Sequence, residues 1–171
     1  LATISRLTNM VCMVQPAEDD DLTLSNLVAA ALLETGKMLY LTPNGRLGTA
    51  IKHVATAWNG SREAARAVSL AMPILESADA VTVLAGTSDH LKPADMNAFA
   101  ASLKWHGVDA KARMFTTSGD HSVRLKAEAM DVGAQVLVLG AYSHSRMREL
   151  VFGGITDDII NAAQMPVLMA H

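Results

Sequence analysis

What this chain is short of narrows its function before any motif is read. It holds a single cysteine, Cys12, so no disulfide can form within it, which suits a reducing compartment and a cytoplasmic location. Cys12 sits in an apolar run and is expected in the core. Aromatic residues are only 4% of the sequence, which leaves few platforms for stacking bases. The formal net charge is -3 and the Lys and Arg residues are scattered, so nucleic acid is not an expected partner. No apolar run reaches the ~18–20 residues of a membrane span, so a membrane is not expected either.

Several catalytic signatures are also missing. No G-x4-G-K-[ST] phosphate loop occurs, and efficient phosphoryl transfer would need a positioned base and metal ligands that the sequence does not offer. Any such turnover is expected to be slow or incidental. Ser143, His144 and Ser145 are adjacent on one stretch, where a serine rarely meets a histidine, and Gly140-Ala141-Tyr142-Ser143 sets its serine one residue too late for a G-x-S-x-G elbow. The six histidines form no H-x3-H pair, so no metal site and no catalytic residue is assigned.

What is present is an apolar, evenly patterned chain with 50% hydrophobic residues, ample for a buried core. From Ile51 onward short apolar runs alternate with amphipathic stretches, the pattern of βα units around a parallel sheet. Strands are expected at 53–58, 80–85, 110–116, 136–139 and 167–170. Helices are expected after Ser61, from Pro93 to Gly107, over 120–131 and around Ile155, Ile159, Ile160 and Ala163. Pro73 should kink or shorten the first of them. The fold class is therefore α/β, an open five-stranded parallel sheet with helices on both faces.

Residues 1–45 repeat the end of that pattern: a strand at 9–14, a helix at 23–33 with Leu24, Leu27, Val28, Ala31 and Leu32 on one face, and a strand at 38–41. The expected organisation is the closing β-α-β part of a first domain (1–45), a linker (46–50) and a complete domain (51–171). Gln15-Pro16-Ala17-Glu18-Asp19-Asp20-Asp21 fills the place of the loop that follows the strand at 136–139 in the complete copy. Four acids and no glycine there would repel a phosphate.

That second loop carries most of the functional information. An apolar strand runs into Gly140, a polar basic stretch follows, and Gly153-Gly154 opens a helix. Glycines let a backbone approach a ligand closely, and the free amides of a helix start favour an anion. The spacing runs Gly140, two residues, Ser143, nine residues, Gly153 and Gly154, with Thr156 just beyond. This resembles the nucleotide loop of the universal stress protein family, G-x2-G-x9-G-[ST], with Ser143 in place of its second glycine and Gly154 in place of its first hydroxyl residue. Ala57-Trp58-Asn59-Gly60-Ser61 and Met165-Pro166-Val167-Leu168 add to the likeness, which extends over residues 51–171.

The resemblance implies a stress-response or regulatory module that binds adenine nucleotide, ATP with Mg, across the carboxyl ends of the strands. The ligand residues it implies are Asn59, standing where the family usually has an aspartate, Val83 near the adenine, and Gly140, Ser143, Gly153, Gly154 and Thr156 around the phosphates. Arg146 and Arg148 would add positive charge. The alternative is an interaction or dimerisation module of the same fold that binds no nucleotide, which the changes at Asn59, Ser143 and Gly154 favour. In either case the closing strands of the two repeats would be sheet edges, expected to pair with each other and to leave room for a homodimer.

Overall fold

The computed structural model of the protein describes residues 5, 7–15, 22–43, 50–87, 91–116, 120–141 and 164–171. In chain order the elements are β1 (Met10–Val14), α1 (Leu22–Glu34), β2 (Met38–Thr42), β3 (His53–Ala57), α2 (Arg62–Ser77), β4 (Ala80–Gly86), α3 (Pro93–Ser102), β5 (Ala110–Phe115), α4 (His121–Asp131), β6 (Val136–Gly140) and β7 (Val167–Ala170). A short 3-10 turn, Leu103–His106, extends α3 and ends at Gly107, whose φ of 77° is the left-handed value glycine adopts at little cost.

All seven strands join one sheet in the order β1-β2-β7-β6-β3-β4-β5. Every neighbouring pair is parallel except β2 and β7. The expected five-stranded parallel sheet is present as β7-β6-β3-β4-β5, and the β-α-β unit at the start of the chain continues it rather than standing apart. The closing strands are therefore interior, not edges, because each covers the other's open hydrogen-bonding side.

The seam between them has a local two-fold character. Tyr40 faces Leu168 at its centre, β1 lies against β2 with Val14 opposite Thr42, and β6 lies against β7 with Gly140 opposite Ala170. Rotation about the seam therefore superposes Cys12 on Val138 and Val14 on Gly140. The hydrogen bonds agree: Gln15 N donates to Thr42 O at 2.8 Å, and Ala141 N donates to Ala170 O at 2.8 Å.

Strands buried on both sides explain the near-continuous apolar runs of β4, β6 and β7. One face carries α1 and α4, with Val28, Ala31, Leu32, Leu125 and Ala129 packed on Leu39, Ala55, Leu84, Leu137 and Met169. The other carries α2 and α3, with Ala67, Val68, Ala71, Leu75, Met96 and Ala100 packed on Val54, Val83, Val136, Val138 and Leu168. Each fully buried Leu or Val of these layers stabilises by about 1.5–3 kcal/mol. Glu128 anchors α4, its buried carboxylate lying 2.7 Å from Arg113 on β5 and against Arg124 one helical turn back.

Three expectations need correction. Cys12 is exposed: it lies on the sheet face that α2 and α3 cover, but at the outer strand β1, where its side chain stays uncovered. Leu27 is 40% exposed, while its neighbours Val28, Ala31 and Leu32 make the contact. Pro73 does not cut α2 short: the helix runs on to Ser77, since Pro73 lies on its solvent side and Ala71 and Leu75 keep the turn packed. The helix expected around Ile155, Ile159, Ile160 and Ala163 lies outside the described residues.

Candidate functional site

The strand order reverses between β3 and β6: from β3 the chain builds outward through β4 to β5, then returns to add β6 and β7 on the other side. In open α/β sheets such a reversal leaves a crevice beyond the carboxyl ends of the two strands, because the connections leave in opposite directions. The residues after β3 and at the end of β6 therefore define the candidate site.

Beyond β3, Trp58 N donates to Leu84 O at 2.8 Å, holding the strand end against β4. Asn59 Oδ1 accepts from Ser61 N at 3.0 Å and closes an Asx turn, with Gly60 at a φ of 75°. Ser61 then caps α2, its Oγ accepting from Ala64 N at 3.1 Å. Asn59, Gly60 and Ser61 thus act as one unit that turns the chain from strand to helix. Trp58 is steadied by Phe99 of α3, whose ring stacks on it with centroids 3.5 Å apart.

Gly140, the last residue of β6, lies directly against the first turn of α2. A Cβ there would sit 2.4 Å from Ala64 N and 2.5 Å from the carbonyl carbon of Glu63, closer than atoms can approach. Gly140 is thus required by helix–strand contact, a packing reason the loop motif does not reveal. The same contact brings the Asn59–Ser61 turn and the end of β6 to one place.

Val83, the other strand position implied by the resemblance, is 0% exposed and belongs to the core between the sheet and α2 and α3. Ser143, Arg146, Arg148, Gly153, Gly154 and Thr156 lie outside the described residues.

Three residues near the strand ends were not expected at the site from the sequence. Glu63, in the first turn of α2, is buried beside Gly140 and meets Arg62 at 3.2 Å. His171 Nδ1 lies 3.1 Å from Ala141 O, so the last residue of the chain closes over the end of β6 and its Nδ1 carries the proton as donor. Thr56, just below the crevice, is fully buried and its hydroxyl has no hydrogen-bond partner among the described residues. A polar residue placed one position before a strand end was the available signal for Thr56; nothing local marks His171.

Charge and titration complete the site's surroundings. Asp120 caps α4, accepting from Ser122 N at 2.7 Å and from Ser122 Oγ at 2.8 Å, and these bonds hold its carboxyl below its usual range. His53 sits at the opposite, amino end of β3, where burial and then the charge of Lys111 lower its pKa while a bond to the Val132 carbonyl opposes them. Among the described residues no cluster of three or more His, Cys, Asp or Glu could hold a metal ion. An open groove of about 520 Å³ between α2 and α3, lined by Ala65, Met72, Phe99 and Trp105 among others, meets this site only through Phe99.

A family model, that of the universal stress protein family, matches residues 85–171, half of the chain. The chain belongs to the universal stress protein family. Solved structures agree on the fold. A universal stress protein from Archaeoglobus fulgidus DSM 4304 is 14% identical with a TM-score of 0.77; the likeness covers 99% of this chain and 63% of that one, so the chain spans less than two thirds of it. A putative universal stress protein from Pseudomonas aeruginosa UCBPP-PA14 is 16% identical with a TM-score of 0.63, covering 99% of this chain and 66% of that one. A universal stress protein in complex with cAMP is 22% identical with a TM-score of 0.54, covering 72% of this chain and 99% of its own. The curated proteins gave no match.

Proposed function

We propose that this chain is a stress-response or regulatory module that binds an adenine nucleotide, ATP, across the carboxyl ends of β3 and β6. The observation that carries this reading is the meeting of the Asn59–Ser61 turn and Gly140 at the reversal of strand order, from which residues 142–156 continue. In this reading Asn59 offers its amide to the nucleoside and Glu63 accepts from a sugar hydroxyl. Val83 supports the site from the core beneath. Gly140, Ser143, Gly153, Gly154 and Thr156 surround the phosphates, with charge from Arg146. Magnesium would arrive on the phosphates, since the described residues gather no ligand set of their own. The relative with cAMP lends support to a nucleotide as the ligand class.

In the same reading residues 1–45 are the closing part of a first universal stress domain, residues 46–50 a linker and residues 51–171 a complete second domain. The matched register on either side of the β2–β7 seam supports this. The protein works in the cytoplasm and turns ATP over slowly or not at all.

One observation favours the alternative of an interaction module that binds no nucleotide: Asn59 Oδ1 is already engaged by Ser61 N. Calorimetric titration of the whole chain with Mg-ATP decides between them, with Gly153→Val as the loop variant. Gly140→Val would disturb α2 before it disturbed any ligand and cannot serve. Saturable binding weakened by Gly153→Val is the expected result, with a gain of about 2.7 kcal/mol in stability at ~100 times the dissociation constant. No heat and no shift in melting up to millimolar nucleotide would leave the interaction module.

A further inference from the structure

The β2–β7 seam carries a residue from the start of the chain to the rim of the strand-end crevice. Because the two strands are antiparallel, the start of β2 lies beside the end of β7. Leu39 pairs with Met169, and two residues further along the same register Lys37 stands opposite His171. His171 Nδ1 in turn lies 3.1 Å from Ala141 O, which brings the end of β7 over the end of β6. Lys37 is thus a neighbour of the crevice.

The turn that carries Lys37 is fixed from both sides. At the end of α1, Thr35 Oγ1 donates to Ala31 O at 2.6 Å and accepts from Lys37 N at 3.1 Å. Between them Gly36 takes a φ of 67°, a left-handed value that glycine adopts at little cost. The Gly36 carbonyl accepts from the Arg66 guanidinium at 3.1 Å. Arg66 belongs to α2, the helix whose first turn lies against Gly140. One helix therefore holds both Gly140 and the turn before β2. Lys37 itself is partly exposed, and its ammonium makes no ion pair among the described residues.

The direction of the ligand decides what such a cation could meet. Across the crevice the strands follow the order β4, β3, β6, β7, β2. In the nucleotide reading proposed above, on which this inference rests, the nucleoside lies at Asn59 and Val83 on the β3 and β4 side, and the phosphates begin at Gly140 on β6. The phosphate chain then points toward β7 and β2. Lys37 stands two strand spacings from Gly140, about 10 Å. A triphosphate and lysine's flexible four-carbon stem can close that gap together, whereas a monophosphate leaves it unspanned. An ammonium meeting a phosphate oxygen forms a charge-assisted hydrogen bond.

We infer that Lys37, reaching across the seam, recognises the terminal phosphate of the nucleotide held at β3 and β6 and makes the site select a nucleoside triphosphate over a monophosphate. The β-α-β unit at the start of the chain is then part of the ligand site rather than a mere extension of the sheet.

The test is calorimetric titration of the intact chain with Mg-ATP and with AMP, on the wild type, Lys37→Met, Lys37→Arg and Lys52→Met. Methionine keeps an unbranched apolar stem and removes the charge. Lys52 is exposed beside the opposite, amino end of β3, so Lys52→Met controls for the change in net charge. On Lys37→Met the dissociation constant for Mg-ATP should rise about fivefold, the loss expected for one solvent-screened ion pair. The value for AMP should stay as it is, Lys37→Arg should keep most of the ATP affinity, and Lys52→Met should behave as the wild type. The effect on ATP should shrink at high salt. Unchanged ATP binding in Lys37→Met would overturn the inference, and so would equal weakening of ATP and AMP, which would mark Lys37 as structural; both results leave the nucleotide reading standing. A wild-type chain that binds neither nucleotide would overturn the two together.

Discussion

β1 and β6 occupy equivalent places on either side of the β2–β7 seam, each parallel to its closing strand in the same register, yet they end differently. β6 ends in Gly140 and admits the first turn of α2 to van der Waals contact with its backbone; β1 ends in Val14, nearly half exposed. The absence of a side chain at Gly140 is therefore what lets a helix close over that strand end. Where the helix closes, a turn, a helix start and a strand end converge on one crevice. β1 stands as an outer strand of the sheet among the described residues. The loops differ in the same sense: Gly140 leads into a basic, glycine-bearing stretch, while Val14 leads into Glu18, Asp19, Asp20 and Asp21.

The contrast can be broken most forcefully at Gly140. Gly140→Val should cost about 3 kcal/mol or more in urea unfolding, because the backbone of Ala64 cannot move aside without shifting α2, whereas Val14→Gly should cost no more than about 1 kcal/mol. Equal effects at the two positions would deny the difference.

The seam itself comes next. Leu168 is fully buried at its centre, opposite Tyr40, so Leu168→Ala should destabilise by about 2–5 kcal/mol and bring both sides of the seam down in one transition. Two separate transitions in denaturant would mean that the halves fold independently. Removing the α2 cap with Ser61→Ala should cost about 1 kcal/mol by leaving the Ala64 amide without its acceptor.

Thr56→Val probes the crevice from below and should have the opposite sign, a gain of up to about 1 kcal/mol, since the buried hydroxyl has no partner to lose. A loss instead would show that the hydroxyl is engaged in solution.

The smallest effect is a pH dependence at the other end of β3. Burial, reinforced by Lys111, lowers the pKa of His53 from its ordinary 6.5, so the unfolded chain takes the proton first. Its contribution is therefore complete above pH 6.5 and is lost as pH falls through the lower folded value. Melting temperatures measured from about pH 8 down to about pH 5 should show this slope, and His53→Gln should flatten it.

Much of the fold was legible in the residues. Runs such as those of β4 and β6 announce strands buried on both faces, and Ser61, Asp120 and Gly107 mark helix ends by chemistry that acts within a few residues. The candidate site was legible in outline, through Asn59 and Gly140. What escaped was the part made by distant chain segments meeting. His171 reaches Ala141 across 30 positions, and Glu63 reaches Gly140 only because α2 crosses the end of β6. The misjudged burial of Cys12 and Leu27 has the same origin: periodicity says which residues share a face, not whether anything covers that face.

Local periodicity, turn chemistry and glycine spacing by themselves determined the elements of this protein, the parallel βα order of residues 51–171 and the family to which they belong. These are properties of neighbours along the chain, governed by backbone sterics and by short-range hydrogen bonds. Only the tertiary structure decided that the two closing strands, expected to pair, do so antiparallel, and that Gly140 answers to α2. Those depend on which surfaces meet, and contact between segments far apart in sequence is settled by packing.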